Sequence, residues 1–524
     1  MTFNHLFIAI VLFGVLGIPS SAQLIDQTKA PNAAKEGIAK SFTQQVGAGR
    51  GNVMTPDSSA FIIARDPYRA IRRGRQIFQR KFNRQDGDGP YVRDGSGDIA
   101  NNIGIGAGSA DSCAACHGRP RGSAGVGGDV VTRPDSRDAP HLFGLGLKEM
   151  LADEITAELR ARRDKAVADA RATKEPVTAP LTSKGISYGL VVAMPDGKVD
   201  LSQVEGVSTD LRVRPFFAHG GTVSIREFVN GALNNEMGLQ AIDPEVTAAS
   251  AGQSVLTPAG MFLDGKMDTI EVPPDPDPSR VAAGQPPRNS VNTAIVDYLE
   301  FYLLNYFKPG LYEQTERVVA GRGHFMRAGC GGCHIPDLRI DRDRRVADVE
   351  TVYDPRNGIL NSLFATATPL VRNVEDGSGF PPLRNPLLQP FLVRNIFTDF
   401  KRHDLGPGFH ERNYDGSMEN MLMTTPLWGV GSTSPYGHDG RSINLNEAIL
   451  RHGGEAQTSR DLYAAMPSAA RSDLQEFLNS LVLFPPDDTA SNLDAGDRTA
   501  TGFPQLRHGA LKLTVLFNDP RDIE

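Results

Sequence analysis

Two five-residue stretches decide how this chain is interpreted: CAACH at 113–117 and CGGCH at 330–334. Together they contain all 4 cysteines of the 524-residue sequence, so no cysteine remains for a structural disulfide. Cys-x-x-Cys-His is the attachment motif of c-type haem, in which two thiols bind the vinyl groups and the histidine binds the iron. The sequence therefore predicts two covalently bound haem c groups. The attachment residues are Cys113, Cys116, Cys330 and Cys333, and the proximal iron ligands are His117 and His334.

Two other interpretations of the cysteine pairs fit less well. A zinc site would bring paired Cys-x-x-Cys motifs together, but these pairs lie 217 residues apart and each has a histidine directly after its second cysteine. A thioredoxin-like redox motif needs only one pair and has no use for that histidine. The spacing therefore favours haem.

The composition is that of a globular protein and excludes one class of partner. Hydrophobic residues make up 40% and charged residues 22% of the chain, and the formal net charge is −7. No basic block is present that could neutralise phosphates, so nucleic acid is not expected as a partner. The 54 glycines and 36 prolines exceed average usage and predict long loops between the regular elements.

The N-terminus has the pattern of a secretory signal peptide. Leu6–Ile18 is an apolar run of 13 residues, followed by Pro19–Ala22 as a cleavage region. This run is too short to span a bilayer, and no later stretch reaches the roughly 20 apolar residues that a membrane helix needs. We expect residues 1–22 to be a signal peptide, 23–60 a polar extension, and the mature chain to be periplasmic or secreted without a membrane span. The alternative is a buried N-terminal helix.

Similar segments surround each motif in the same order and indicate an internal repeat. GRQIF at 74–78 precedes the first motif, and GRGHF at 321–325 precedes the second. PFFAHGG at 215–221 and PYGHDGR at 435–441 follow the two motifs and lead into helical patterns. An ordered repeat of this kind predicts two tandem domains.

Helical patterns open each half at Pro67–Phe82 and Leu311–Arg327, and amphipathic helices close the halves from Val291 and from Ala470. Helices that open and close around a Cys-x-x-Cys-His loop are typical of a cytochrome c domain. The predicted fold class is therefore mainly α, with two tandem cytochrome c-like domains and long irregular loops. The predicted ranges are 61–310 and 311–524 for the domains, and 270–288 and 341–390 for two of the loops.

Longer motifs extend this pattern from about Asp66 to Phe484. The sequence resembles the bacterial di-haem cytochrome c peroxidase superfamily, and in particular its di-haem oxidoreductase branch, also labelled thiol oxidoreductase-like. The motifs that carry the resemblance are CAACH (113–117), APHLFGLGLKEML (139–151), FVNGALNNEMG (228–238), CGGCH (330–334), TDFKRHDLGPG (398–408), TTPLWGVG (424–431) and YGHDGRSINLNEAILRHGGEA (436–456).

The resemblance implies a division of labour between the two haems. The C-terminal haem would take electrons from a small donor protein or a quinol-linked donor. The N-terminal haem would react with hydrogen peroxide or another oxidant. Our leading hypothesis is thus a periplasmic, peroxidase-like di-haem oxidoreductase. A haem oxygenase-type enzyme acting on an organic substrate, which would need an apolar pocket over the first haem, and a di-haem electron carrier without catalysis are the alternatives.

His452 stands where the peroxidases have a methionine as sixth ligand of the C-terminal haem, 14 residues after His438. The resemblance therefore implies an iron held by His334 and His452, with a lower potential than a His/Met iron, because thioether ligation raises the potential. The alternative is a surface histidine at a helix end, favoured by the helix dipole. His438 itself is expected to form hydrogen bonds near this haem.

The first haem has no obvious sixth ligand, because no histidine occurs between Gly118 and Ala139. We expect an open or water-bound iron there and keep ligation by His141, the next histidine, as the alternative; His141 and Glu236 are the candidate catalytic residues. Glu236 matches the distal catalytic glutamate of the peroxidases and would act as general acid and base. Its alternative is a surface glutamate.

Three positions depart from the family pattern. Phe228 stands near the position of the family's distal glutamine, and Ala218 replaces the tryptophan between the haems. That replacement leaves Phe216, Phe217 or Trp428 as bridging side chains. A calcium ion between the haems is implied by the resemblance, but Gly144 replaces the asparagine expected there.

Overall fold

The structure is a computed structural model that describes residues 41–82, 110–119, 123–127, 129–130, 137–237, 239, 241–271, 291–353, 363–413 and 416–483. The expected signal peptide at 1–22 and most of the expected loop at 270–288 lie outside the described residues. No described helix combines the length and the apolar character needed to cross a membrane.

Twelve α-helices lie in the described part of the chain. In the first half they are α1 Phe42–Val46, α2 Ser59–Arg65, α3 Pro67–Gln79, α4 Cys113–His117, α5 Leu145–Thr173, α6 Ile225–Asn235, α7 Pro244–Ser250 and α8 Thr293–Asn305. In the second half they are α9 Glu316–Arg327, α10 Leu445–Arg451, α11 Gln457–Ala464 and α12 Ser468–Asn479.

The strands are short and pair antiparallel. They are β1 Asp129–Val130, β2 Arg137–Asp138, β3 Val177–Ser183, β4 Ile186–Ala193, β5 Val199–Asp200, β6 Ser254–Leu256, β7 Phe262–Asp264, β8 Gly310–Leu311, β9 Leu338–Ile340, β10 Ala347–Tyr353, β11 Leu363–Pro369, β12 Val371–Val374, β13 Leu383–Pro386, β14 Phe391–Val393, β15 Arg402–Asp404, β16 Glu411–Arg412, β17 Met418–Glu419, β18 Met421–Met423 and β19 Leu481–Val482. One sheet has the order β3-β4-β5; the pairs are β1-β2, β6-β7, β8-β19, β9-β14, β10-β11, β12-β13, β15-β18 and β16-β17.

The expectation of a mainly α fold needs correction. Helices make up 38% and strands 19% of the structure. Part of this strand content lies in residues 341–390, which we expected to form an irregular loop. These residues contain the hairpins β10-β11 and β12-β13. In the sequence ADVETVY of β10, polar residues alternate with residues that are apolar or β-branched. This two-residue period is typical of a half-buried strand. The nearby glycines and prolines obscure this signal.

The predicted opening and closing helices are confirmed, and they pack in pairs. α3 lies along α8 in the first half, and α9 lies along α12 in the second. A Cβ atom at Gly74 would lie 2.2 Å from the carbonyl oxygen of Tyr298, and one at Gly321 would lie 1.9 Å from that of Asp473. Both repeats thus use glycine where two helix backbones approach closely. The division into two tandem domains remains a prediction.

Part of the expected polar extension, 23–60, is packed into the fold. The Phe42 ring meets the Phe82 ring edge-on, with 5.7 Å between centroids. The Nε–H of Arg50 donates to Oδ2 of Asp297 over 2.7 Å. Ordered packing therefore begins before residue 61, where we expected the first domain to start.

A buried ion network joins α6, α7 and α8 behind this segment. Arg226 is fully buried. Its guanidinium donates to Asp243 (2.8 Å), Glu245 (3.0 Å), Asp297 (3.0 Å) and Glu300 (2.6 Å). Four carboxylates thus converge on Arg226, and Arg50 pairs with two of them, Asp297 and Glu245, because a buried charge is tolerated only when it is paired.

We predict that Arg226→Met lowers the free energy of unfolding by about 3–5 kcal/mol, because it leaves buried carboxylates uncompensated. Arg317 is the matched control: its side chain is 55% exposed and pairs with Asp473. Arg317→Met should leave the free energy of unfolding nearly unchanged, because an exposed ion pair contributes little. Urea denaturation at pH 7 measures both values, and equal losses in the two variants would contradict the prediction.

Candidate functional site

The first cysteine motif forms the short helix α4. The Ser112 hydroxyl caps this helix by accepting from the Ala115 N–H over 3.1 Å. The Nδ1–H of His117 donates to the carbonyl oxygen of Pro140 over 2.8 Å. Burial lowers the pKa of His117 to about 4. The ring is therefore neutral at pH 7 and keeps a lone pair on Nε2, as a metal-binding histidine requires.

The second motif repeats this arrangement. Cys330–Gly332 forms a 3₁₀ turn, and the Nδ1–H of His334 donates to the carbonyl oxygen of Phe397 over 3.0 Å. Burial lowers the pKa of His334 to about 4 as well. The Phe325 ring, from the predicted GRGHF segment, lies 6.0 Å from the imidazole ring between centroids. Both motif histidines thus present Nε2 in the same way.

The donor set of each motif fits a haem. All four cysteines are free thiols, and burial raises the pKa of Cys113 to about 12 and that of Cys330 to about 11. Near the first motif, Lys148 has its Nζ 5.6 Å from the centroid of the Phe216 ring. Burial lowers the pKa of Lys148 to about 8, and no carboxylate of the described residues accepts a hydrogen bond from it. An anionic group such as a haem propionate would neutralise the charge of the buried Lys148 ammonium.

His452 directly follows the last residue of α10. Its Nδ1–H donates to the carbonyl oxygen of Ala448 over 2.7 Å, and its ring packs edge-on against Phe409. Burial lowers the pKa of His452, and the charge that His452 would carry if protonated in turn lowers the pKa of His334. The histidine expected as the sixth ligand is therefore neutral, is near the proximal ligand and has a free Nε2.

Glu236 follows the last residue of α6. Its Oε2 atom is buried and has no hydrogen-bond partner among the described residues. Burial raises the pKa of Glu236 to about 7, and the Glu236 charge raises the pKa of Cys116. A buried carboxyl oxygen without a partner among the described residues, close enough to Cys116 to influence its pKa, has the chemistry of a group that exchanges protons with a ligand.

His141 has both ring nitrogens in hydrogen bonds. Nδ1 accepts from the Phe143 N–H over 3.2 Å, and Nε2–H donates to the carbonyl oxygen of Trp428 over 3.0 Å. In this arrangement neither nitrogen has a lone pair available for iron. The expected alternative of His141 as an iron ligand or catalytic residue is not supported by this geometry. The hydrogen bond from His141 to Trp428 instead connects the two halves of the chain.

The contact of His141 with Trp428 belongs to a continuous connection between the two motif histidines. His117 donates to Pro140, the neighbour of His141. Leu427, the neighbour of Trp428, donates its N–H over 3.0 Å to Ile396. Ile396 precedes Phe397, whose carbonyl accepts from His334.

Two of the positions that depart from the family pattern, Phe228 and Gly144, are packed against aromatic side chains. Phe228 lies with its ring centroid 5.9 Å from that of Phe216 and 5.2 Å from that of Phe217, so an aromatic cluster occupies this region. A Cβ atom at Gly144 would lie 2.9 Å from the Trp428 ring. An asparagine at position 144 would therefore collide with the indole, and the expected calcium ligand cannot be accommodated while Trp428 holds this position.

Sequence reasoning did not identify His403. Its Nε2–H donates to Asp399 over 3.0 Å and its Nδ1–H to Glu455 over 2.7 Å. Burial lowers its pKa, but hydrogen bonds to Asp399, Cys333 and Glu455 raise the pKa to about 11 overall. A cationic imidazole thus lies beside a haem-attachment cysteine. The quoted segment TDFKRHDLGPG contains it, but nothing in the local sequence reveals the partner Glu455.

Residues 384–481 match the sequence model of the family described as "Di-haem oxidoreductase, putative peroxidase". No curated protein matches the chain.

Two solved structures are similar at a low level. Hydrazine synthase of Kuenenia stuttgartiensis, pressurized with xenon, is 14% identical, with 83% of this chain and 95% of that chain covered and a TM-score of 0.31. A MauG-like protein associated with microbial copper homeostasis is 12% identical, with 65% and 89% covered and a TM-score of 0.25. At these TM-scores neither supports a conclusion about fold. The support for a family resemblance therefore comes from the family match. This match to the di-haem oxidoreductase family confirms the resemblance of the chain to the di-haem peroxidase superfamily in residues 384–481 of its second half.

Proposed function

We propose that this chain is a periplasmic di-haem c-type oxidoreductase that reduces hydrogen peroxide or a related oxidant in its first half and receives electrons in its second half. Haem, when bound, supplies a redox-active iron at each motif. Cys113, Cys116 and His117 would hold one group, and Cys330, Cys333, His334 and His452 the other. The apolar run Leu6–Ile18 supports the proposed export.

The observation that carries this proposal is the buried, unpartnered Oε2 atom of Glu236 near Cys116. With a pKa of about 7, this carboxyl group can hold or release a proton near neutral pH. It would take the proton from one oxygen of hydrogen peroxide and deliver it to the other, so that water leaves instead of hydroxide. An electron carrier without a substrate would have no use for such a group.

His452 and His141 explain why the two sites would differ. In the second half, the Nδ1–H of His452 is bonded to Ala448, and His452 lies close enough to His334 to lower its pKa, so its Nε2 would be available as a second ligand. In the first half, His141 is engaged by Phe143 and Trp428 and offers none. We therefore propose that the second site is closed by two histidines and serves electron transfer, while the first site admits a small oxidant. His141 acts in this proposal as a positioning residue for the loop that carries Pro140.

We predict that both haems are covalently bound. After unfolding and extraction with acidified acetone, the haem absorbance should stay with the protein at a ratio of two haems per chain, because thioether bonds survive this treatment. Cys330→Ala/Cys333→Ala should halve the retained haem. Haem that is fully extracted from the unaltered protein would contradict the prediction.

We predict that His452→Ala converts one of the two haem EPR signals from low spin to high spin or to a water-ligated form, because the iron loses its second imidazole. His410→Ala is the matched control: His410 also lies in the second half and bonds to Asp404 over 2.8 Å, and nothing places it next to His334. The control should retain both signals. If both signals are also unchanged in His452→Ala, the ligand assignment is wrong.

We predict that Glu236→Gln slows the reaction with hydrogen peroxide by roughly 10²- to 10⁴-fold, the range for loss of a positioned general acid or base. The substitution is nearly isosteric and should preserve both haem spectra. The unaltered rate constant should rise as the pH increases through about 7, because only the carboxylate accepts the peroxide proton. In the variant it should be flat over the same range. Stopped-flow absorbance measures both.

Glu227 supplies the control for this experiment. It lies on α6, and burial also raises its pKa to about 7, but its two oxygens accept hydrogen bonds from the N–H groups of Val223 and Glu271. Glu227→Gln should therefore affect stability and leave the peroxide rate unchanged. Equal rates in Glu236→Gln and the unaltered protein would remove the proposed role of Glu236, and no reaction in the unaltered protein would favour the electron-carrier alternative.

A further inference from the structure

A second cluster of metal-ligating side chains lies apart from both haem motifs. The repeated segments PFFAHGG and PYGHDGR each form a tight loop closed by an isolated bridge, Phe216 to Thr222 in the first half and Tyr436 to Ser442 in the second. Each loop carries one histidine. These are His219 and His438, which lie one position apart when the two segments are aligned and which the proposed function does not use as ligands.

The two loops bring their histidines together on Glu411. The Nε2 atom of His219 lies 2.9 Å from Oε2 of Glu411, and the Nδ1 atom of His438 lies 2.8 Å from Oε1. The two imidazole rings are 5.6 Å apart between centroids. One ligand atom from each of the three residues lies within 4.8 Å of the others. The cluster thus combines one residue of the first half with two of the second.

The orientation of His219 is that of a metal ligand. Its Nδ1 atom lies 3.1 Å from the carbonyl oxygen of Met421, which can only accept a hydrogen bond, so Nδ1 carries a proton. If Nε2 carries no proton, its lone pair faces the Glu411 carboxylate, and a metal ion bound to both atoms would stabilise this arrangement in addition to the positive charge of Arg137 beside Oε2. His117 and His334 are oriented towards their proposed iron by the same kind of carbonyl hydrogen bond.

The surroundings allow an ion to enter and hold the carboxylate in place. The Glu411 side chain is 3% exposed, whereas those of His219 and His438 are 13% and 22% exposed. The Nε atom of Arg137 lies 3.1 Å from Oε2 of Glu411 and fixes this carboxylate from the buried side. Access is therefore from the side of the two imidazoles.

We propose that His219, Glu411 and His438 bind one divalent transition-metal ion, with zinc as the best fit, and that this ion joins the two halves of the chain. Two imidazoles and one carboxylate are the three protein ligands of many zinc sites, with water as the fourth ligand. Because the ligands come from both halves, a bound ion would stabilise their association. The proposal is independent of the peroxide reaction, since it uses none of the groups assigned to that reaction.

The test uses the haem-loaded full chain, freed of loosely held metal by dialysis against a chelator. After incubation with ZnCl₂ and gel filtration, elemental analysis should find one zinc for every two haem irons. Zinc X-ray absorption, to which the haem irons do not contribute, should show a first shell of nitrogen and oxygen with two imidazoles. Zinc should also raise the midpoint of thermal unfolding.

The variants locate the site. His219→Ala and His438→Ala should each lose the bound zinc and the thermal shift, while the haem spectra show that the chain remains folded. His410→Ala is the matched control, because the His410 side chain is as exposed as that of His438, at 22%. It should retain one zinc.

Should His219→Ala fail to fold, His438→Gln keeps a polar side chain in the more exposed loop and should still lose the zinc. The proposal is overturned if the unaltered protein retains less than about one zinc in ten chains, which would make His219 a doubly protonated partner of Glu411. It is equally overturned if the variants retain as much zinc as the control.

Discussion

The hydrogen bond from Nδ1–H of each motif histidine to a backbone carbonyl is the constraint on which the site depends. A histidine that follows two attachment cysteines is useful to an iron only if one tautomer is fixed and Nε2 faces the metal. Pro140 and Phe397 supply the two carbonyls. Pro140 lies 23 residues after His117, and Phe397 lies 63 residues after His334. The folding of these distant segments therefore determines which tautomer each histidine adopts.

Helix α6 shows that burial alone does not make a carboxylate useful for catalysis. Glu227 and Glu236 have the same raised pKa of about 7, for the same reason. The oxygens of Glu227 are saturated by the backbone N–H groups of Val223 and Glu271, which ties that group to the structure. Only Glu236 keeps a buried oxygen without a partner. The two carboxyl groups therefore differ in whether their oxygens have hydrogen-bond partners.

Local patterns in the sequence predicted the local parts of this structure. The helices around GRQIF and GRGHF, the two cysteine motifs and the position of His452 follow from period, spacing and family motifs. The strand β10 was missed because its alternation is short and flanked by turn residues. Pairings such as His141 with Trp428, 287 residues apart, or His403 with Glu455 depend on tertiary contacts that no local pattern encodes. For this reason His141 was considered as a ligand, although its two nitrogens are occupied.

The repeat itself gives the two halves the same scaffold, and their differences arise where single residues depart from it. Gly74 and Gly321 permit the same close helix packing, and His117 and His334 have the same orientation. Each motif histidine has a second neutral imidazole in its neighbourhood, but both nitrogens of His141 are in hydrogen bonds, whereas His452, which follows α10, has only Nδ1 bonded among the described residues. The matching helix of the first half, α6, ends instead at Glu236. If the two halves are tandem domains, one repeated framework would support two different haem sites, because the residue that follows this helix differs between them.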